Sequence, residues 1–401
     1  MAQKELRGGY TTGASAAAGM KAALLALLQD EYVSTVSVLN PQGVALELPI
    51  NDVRVLSPHS AQAIVIKDGG DDPDVTHGAQ IITTIELTTD DGLQFRAGHG
   101  VGTVTKSGLA LEPGEPAINP GPRTMMAQVY EEFRETIKSI NEIKRIKGRE
   151  TAEGIKASKG VDMVEGGYKG LLVTVSVPTG LELAKKTLNG TLGIEGGISI
   201  IGTTGIVKPM SEEGFKNSLI PHLQVMKASG YKTAVLVPGR IGRDLGEKQL
   251  GIPAEQMAET SNFIGFMLEQ AVQIGFKRIL LIGHIGKIVK LASGSFHTHN
   301  RMSDGRIETL VAYAALEGAS QAVAQEIMDC QTTEAVHTIL EREGLTAVYQ
   351  RVADRAALRS ARYISGDADV GVIIANLDGT ILACDAQATQ FLREEGWHCS
   401  M

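Results

Sequence analysis

Between Gly283 and Glu308 the chain reads GHIGKIVKLASGSFHTHNRMSDGRIE, its richest stretch of groups able to bind or protonate a ligand. As far as Arg306, Lys287, Lys290, Arg301 and Arg306 stand against a single acid, Asp304, before Glu308 follows, a local +3 in a chain whose formal balance is -8. His297 and His299 sit one residue apart in its middle. A cationic segment on an acidic protein attracts anions, so these residues predict a ligand with several negative charges. Taken alone, the segment reads better as a solvated loop with ordinary surface charges. Comparable polar, glycine-bearing segments at other strand ends argue for a site.

Three such segments follow apolar runs: Gly202-Thr203-Thr204-Gly205 with Lys208, Gly239-Arg240-Ile241-Gly242 with Arg243, and Gly283-His284-Ile285-Gly286-Lys287. In an open parallel sheet the carboxyl ends of the strands share one edge, so the three turns are expected to converge there. None matches a phosphate loop, and Gly98-His99-Gly100-Val101-Gly102 lacks the dinucleotide spacing. A fourth segment, Lys67 to Gly78, has the opposite sign, with four aspartates against one lysine. From Asp72 onward it fails the EF-hand pattern, because His77 stands where glycine is required. Its carboxylates suit ribose hydroxyls, a cationic ligand group or general-base work, and suit an acidic turn capped by its own side chains. Lys106 and Arg123 lie in rigid polar segments and are candidates for carboxylate contacts. Ser261-Asn262-Phe263 opens the apolar part of a helical pattern and could face the same cleft.

The elements that position these groups fall into two rhythms. Thr11 to Leu28, rich in alanine and leucine, predicts a helix. Short strands are predicted at 35–39, 44–48, 63–66, 81–88 and 94–97, a charged helix at 125–147 and a strand at 171–177. That order predicts an α+β domain, a sheet with helices on one face, over residues 1–185. Beyond it, strands at 198–201, 233–237, 278–282 and 370–375 alternate with helices near 211, at 254–275 and across 307–363. Such alternation predicts a doubly wound parallel sheet, an α/β domain over 186–401.

With 401 residues, two domains are the prior; 43% apolar and 21% charged content are those of a globular protein. Few aromatics and the acidic balance exclude a general nucleic-acid binder. Cys330, Cys384 and Cys399 show neither disulfide-framework nor zinc spacing, which fits a reducing cytoplasm. No leader or membrane span is read from the sequence, and a homo-oligomer is left open.

Six segments, GYTTGASAAAGMKAA, KDGGDDPDVTHG, GVGTVTKSGL, PAINPGPR, GGISIIGTTGIVKPMSEE and GHIGKIVKLASGSFHTH, resemble in order those of cobalt-precorrin-5B C1-methyltransferases. The resemblance implies S-adenosylmethionine as methyl donor and a cobalt corrinoid as substrate, methylated at C1 to cobalt-precorrin-6A in the anaerobic route to cobalamin. It also implies an N-terminal α+β domain followed by a Rossmann-like domain. The family often has cysteine where Ser15 stands and usually asparagine where Arg240 stands, so a thiol step does not carry over to Ser15.

A ring edged with acetates and propionates is the ligand the +3 segment anticipates. Lys287, Lys290, His297, His299 and Arg301 are expected to clamp those carboxylates, with Lys106, Arg123 and Lys208 from the opposite wall. The Gly202–Gly205 loop (Gly202, Thr203, Thr204, Gly205) is expected to hold S-adenosylmethionine, with Asp71 and Asp72 at its ribose or its cationic end. Asp72 or His77 is the candidate base. Cobalt travels with the substrate, and no protein metal site is expected. Two other classes stand beside this reading: a phosphoryl-transfer enzyme using the glycine loops, and a non-catalytic corrinoid carrier.

Overall fold

The computed structural model describes residues 6–147 and 167–398, without the side chains of 139–147; Cys399 lies outside the described residues. The chain divides into two compact units between Ser211 and Glu212. Residues 186–211, expected in the second domain, therefore belong to the first. Ile194–Glu195 pairs antiparallel with Thr103–Val104, and Gly197–Ile198 pairs in parallel with Gly100–Val101. Ile198 and Ile200 are buried in the first unit's core, so the apolar run that reads as an opening strand of the parallel sheet serves another core.

In the first unit, helix Thr12–Gln29 begins where the Thr11 side chain accepts the Ala14 N–H at 3.2 Å. Capping of this kind satisfies one of the orphan donors of a first turn. Its alanines let it lie deep: Ala14, Ala16, Ala17 and Ala18 have no exposed surface. It packs on a mixed five-stranded sheet ordered Asp52–Ser57, Ser60–Ile66, Gln80–Thr88, Gly170–Ser176, Gly92–Ala97. The last two strands pair in parallel and the others antiparallel. Gln80–Thr88 buries Ile81, Thr83, Ile85 and Leu87 in alternation, and each buried isoleucine contributes about 1.5–3 kcal/mol. The one polar member is satisfied, since Thr83 Oγ1 donates to Ala16 O at 3.1 Å. Strand Asp52–Ser57 escaped the sequence reading because it lies at the sheet edge with no fully buried residue.

The second unit's sheet is ordered Met257–Glu259, Thr233–Val237, Arg278–His284, Asp369–Ala375, Ile381–Cys384. The first four strands are parallel and the last is antiparallel. Thr233–Val237 is buried at every residue, as expected of a strand covered on both faces. Ala234, Leu236, Ile279 and Leu281 join a core with helices Ile264–Ile274, Ile285–Ser293 and Ala347–Tyr363. Val235, Val237, Leu280 and Ile282 join a second core with helices Arg240–Lys248 and Ala386–Glu394. The helix expected at 254–275 is instead Ile264–Ile274, preceded by the edge strand Met257–Glu259. Three residues are too few to show a strand period. The span 307–363 is four helices, two of them opened by the side-chain caps of Ser320 and Thr332.

Candidate functional site

Strand Thr233–Val237 connects outward to the edge strand Met257–Glu259, and the chain then returns to its other side as Arg278–His284. Two connections leaving in opposite directions make a switch point, where the carboxyl ends of the strands open a crevice. Its rim is Pro238-Gly239, Glu259-Thr260-Ser261 and His284 to Lys287. Lys287 ties the rim together: its ammonium donates to Pro238 O at 2.7 Å and Ser261 O at 3.1 Å. Burial lowers the pKa of Lys287, and the neighbouring Lys290 adds to the effect. Ser261 is held at φ 51°, a left-handed conformation uncommon outside glycine.

His284 ends the middle strand and caps the next helix, its Nδ1 accepting the Gly286 N–H at 3.1 Å. Its Nε2 lies 2.8 Å from Glu334 Oε1. Burial lowers its pKa against the opposing pull of Glu334. Glu259 closes the edge strand, with Oε1 at 3.0 Å from Arg243 Nε and 45% of its side chain exposed. The sequence reading missed it. An available signal was an acid twenty positions after Gly239, the offset of the ribose-binding acid in dinucleotide folds.

Of the three turns expected at one sheet edge, Gly239–Gly242 and Gly283–Lys287 are there, and Gly202–Gly205 is not. That loop lies in the first unit, where Ile201 O accepts the Gly13 N–H and Gly205 O accepts the Thr11 N–H, both at 3.0 Å. Thr203 O and Thr204 O accept from Gln42 and Asn40 side chains at 3.1 and 2.8 Å. Gly202 packs so closely that a Cβ there would meet Thr11 Oγ1 at 2.2 Å. Its glycines and carbonyls are engaged by the fold itself. Ser15 is likewise buried, its hydroxyl donating to Thr11 O at 3.1 Å.

The acidic loop joins the same cluster of segments. Asp72 Oδ1 accepts the Met210 N–H at 2.9 Å, and Asp71 Oδ2 accepts the Arg7 N–H at 2.8 Å. The Arg7 guanidinium grips Asp68, and with the Gly70 N–H it lowers that carboxyl to about 2. Lys67 is buried with Asp74, Nζ to Oδ2 at 2.5 Å. His77 Nδ1 accepts the Gly69 N–H at 3.0 Å, which puts the proton of the neutral ring on Nε2. His77 and Asp72 both stay candidate bases, with Asp72 Oδ1 taken by the Met210 N–H and His77 Nδ1 by the Gly69 N–H.

The cations expected to clamp carboxylates divide into two kinds. Arg123 donates to Ile118 O at 2.7 Å and Glu115 at 2.8 Å, so it braces its own loop rather than a ligand. Lys290 is 1% exposed, with Nζ on Thr298 O at 2.8 Å and Asn300 Oδ1 at 2.7 Å. A buried ammonium so engaged cannot reach a ligand at the surface, and that expectation is corrected. Lys287 points its ammonium at strand-end carbonyls. Lys106 lays its aliphatic stem over Gly193. His297 stands edge-on to Phe263 at 5.0 Å. His299 is exposed, its Nδ1 accepting the Arg301 N–H at 3.2 Å. Lys208 and Arg301 are exposed and make no ion pair with a described residue.

Parallel strands covered by helices on both faces, with glycine, acid and cation gathered at their carboxyl ends, are the architecture of α/β enzymes that act on small molecules. Residues 1–209 match the family model described as CbiD, and residues 297–386 match CbiD, C-terminal domain. The cobalt-precorrin-5B C(1)-methyltransferase of Moorella thermoacetica is 42% identical over 99% of this chain and 100% of that protein. Its counterpart in Alkaliphilus metalliredigens is 40% identical over 98% of this chain and 97% of that protein. A crystal structure of a cobalamin biosynthesis protein from Archaeoglobus fulgidus is 27% identical, covering 75% of this chain and 84% of that one, with TM-score 0.35. The chain belongs to the CbiD family.

Proposed function

We propose that the chain methylates cobalt-precorrin-5B at C1, giving cobalt-precorrin-6A on the anaerobic route of cobalamin biosynthesis in the cytoplasm, with its second unit serving as a Rossmann-like domain. The observation that carries the reading is the near full-length match to relatives of that name. The donor, S-adenosylmethionine, supplies an electrophilic methyl carbon on a sulfonium. The protein's part in such a displacement is chiefly to orient the reactants.

Each unit offers exposed cations suited to carboxylates at the ring periphery: Lys208, with Lys106, in the first, and His299 and Arg301 in the second. Each exposed pair contributes about 0–1 kcal/mol, and several together set register. Lys287 acts by holding the strand ends, and His297 packs against Phe263. Asp72, through the oxygen not bonded to Met210, takes the proton released when C1 becomes nucleophilic. Cobalt enters and leaves with the substrate.

Methyl-labelled donor and cobalt-precorrin-5B incubated with the purified protein test the reading. Label on C1 of the product, located by NMR, is expected. A folded protein that moves no label, or delivers it to another carbon, overturns it.

A further inference from the structure

We propose that the switch-point crevice of the second unit is the adenosyl site, with Glu259 accepting the ribose hydroxyls and the backbone at Gly239 lying against the nucleoside. The inference rests on the donor named above and moves it away from the Gly202–Gly205 loop, whose carbonyls are engaged by the fold.

Three independent observations support it. First, the order of strands puts the crevice between Thr233–Val237 and Arg278–His284, where open parallel sheets take their ligands. Second, the two glycines of the turn differ in their need to be glycine. Gly242 has an internal reason: a Cβ would meet Ile282 O at 2.1 Å, so the helix crosses the strand only at a glycine. Gly239 has none. Its backbone is extended, at φ 172° and ψ -175°, and a Cβ there would touch nothing within 4 Å. Any residue fits that conformation, so the bare backbone at the rim is accounted for by the close approach of something other than this unit.

Third, Glu259 stands at the carboxyl end of the neighbouring parallel strand, beside Val237 in register. An acid at the end of the second strand of a βαβ unit is placed to accept hydrogen bonds from a ribose diol. Arg243 holds one of its oxygens at 3.0 Å and orients the group, while nearly half of the side chain stays open. Lys287, bonded to Pro238 O and Ser261 O, is a positioning residue that keeps two of the rim segments at a set distance. The ligand proposed for it is an adenine nucleoside with a free 2′,3′-diol.

Calorimetric binding of S-adenosylhomocysteine to the full chain tests the site without turnover. Glu259→Gln is expected to weaken binding by about tenfold to a hundredfold, the loss of hydrogen bonds to a charged acceptor. Gly239→Val places a side chain in the crevice and is expected to abolish binding, with ligand-free thermal unfolding unchanged. Arg243→Ala, which leaves the carboxylate in place, is expected to keep binding within a few-fold; a loss equal to that of Glu259→Gln would show that the ion pair rather than the diol contact matters, and overturns the role of Glu259. Wild-type binding with Gly239→Val and Glu259→Gln both unaffected overturns the site and leaves the proposed methyl transfer standing. No binding by the wild-type chain overturns both.

Discussion

At the residue scale, charge type alone was a poor guide to role, because burial and partners decide what a cation does. Lys290 sits in the most cationic segment of the chain and is nearly inaccessible. Lys290→Ala is expected to cost about 2–4 kcal/mol in urea unfolding, from a cavity and two acceptors left without a donor. Unchanged stability with weakened corrinoid binding would restore it as a ligand contact. Asp68 shows the converse case of a surface acid with structural work. Arg7 holds its folded pKa at about 2 against an ordinary 3.8, so the stability it contributes is complete above the higher value and is lost as pH falls toward the lower. Asp68→Asn is expected to flatten the acid limb of a stability-against-pH curve between those values. Asp72 is argued on geometry: Asp72→Asn keeps the Met210 contact through its amide oxygen, so a fall of about 10²–10⁴-fold in kcat with stability retained is expected of a base. Full turnover at saturating substrate dismisses it.

At the element scale, the site is made by strands ending beside one another and by helices that come close enough to leave the strand ends open. Helix Arg240–Lys248 lies on strand Arg278–His284 through Gly242. Gly242→Ala forces the two backbones apart and is expected to lower stability by about 1–3 kcal/mol, the usual cost of overpacking, as read by thermal unfolding. Widening of the Pro238–His284 crevice should accompany it, seen as weaker S-adenosylhomocysteine binding. Elements with a strong period were legible beforehand. Thr233–Val237 and Gln80–Thr88 carry continuous or alternating apolar patterns that report their own burial. The edge strand Met257–Glu259 was absorbed into a predicted helix, since three residues show no period and its partner is distant in sequence. Glu259 stayed hidden with it.

At the scale of the whole molecule, a formal charge of -8 opposes a polycarboxylate substrate at long range, so productive binding depends on local cations such as Arg301. Arg301→Ala is expected to raise KM for the corrinoid with kcat retained. The ratio of variant to wild-type KM should narrow as ionic strength rises from about 0.01 M to 1 M, where the screening length falls from about 30 to 3 Å. A ratio independent of salt would place Arg301 outside the carboxylate contacts.

What the sequence determined by itself was local and additive: which strands bury, that a helix opens the chain after Thr11, that the second half alternates strand and helix, and which family the ordered segments resemble. Burial preference is written into each residue and its near neighbours, so periodicity reveals it. What the tertiary structure decided was partnership. It drew residues 186–211 into the first unit, engaged Gly202–Gly205, Arg123 and Lys290 in internal hydrogen bonds, and brought Glu259 beside Gly239. Those outcomes depend on which distant segment competes successfully for a given strand edge or carbonyl, and that competition is resolved only when the whole chain has packed.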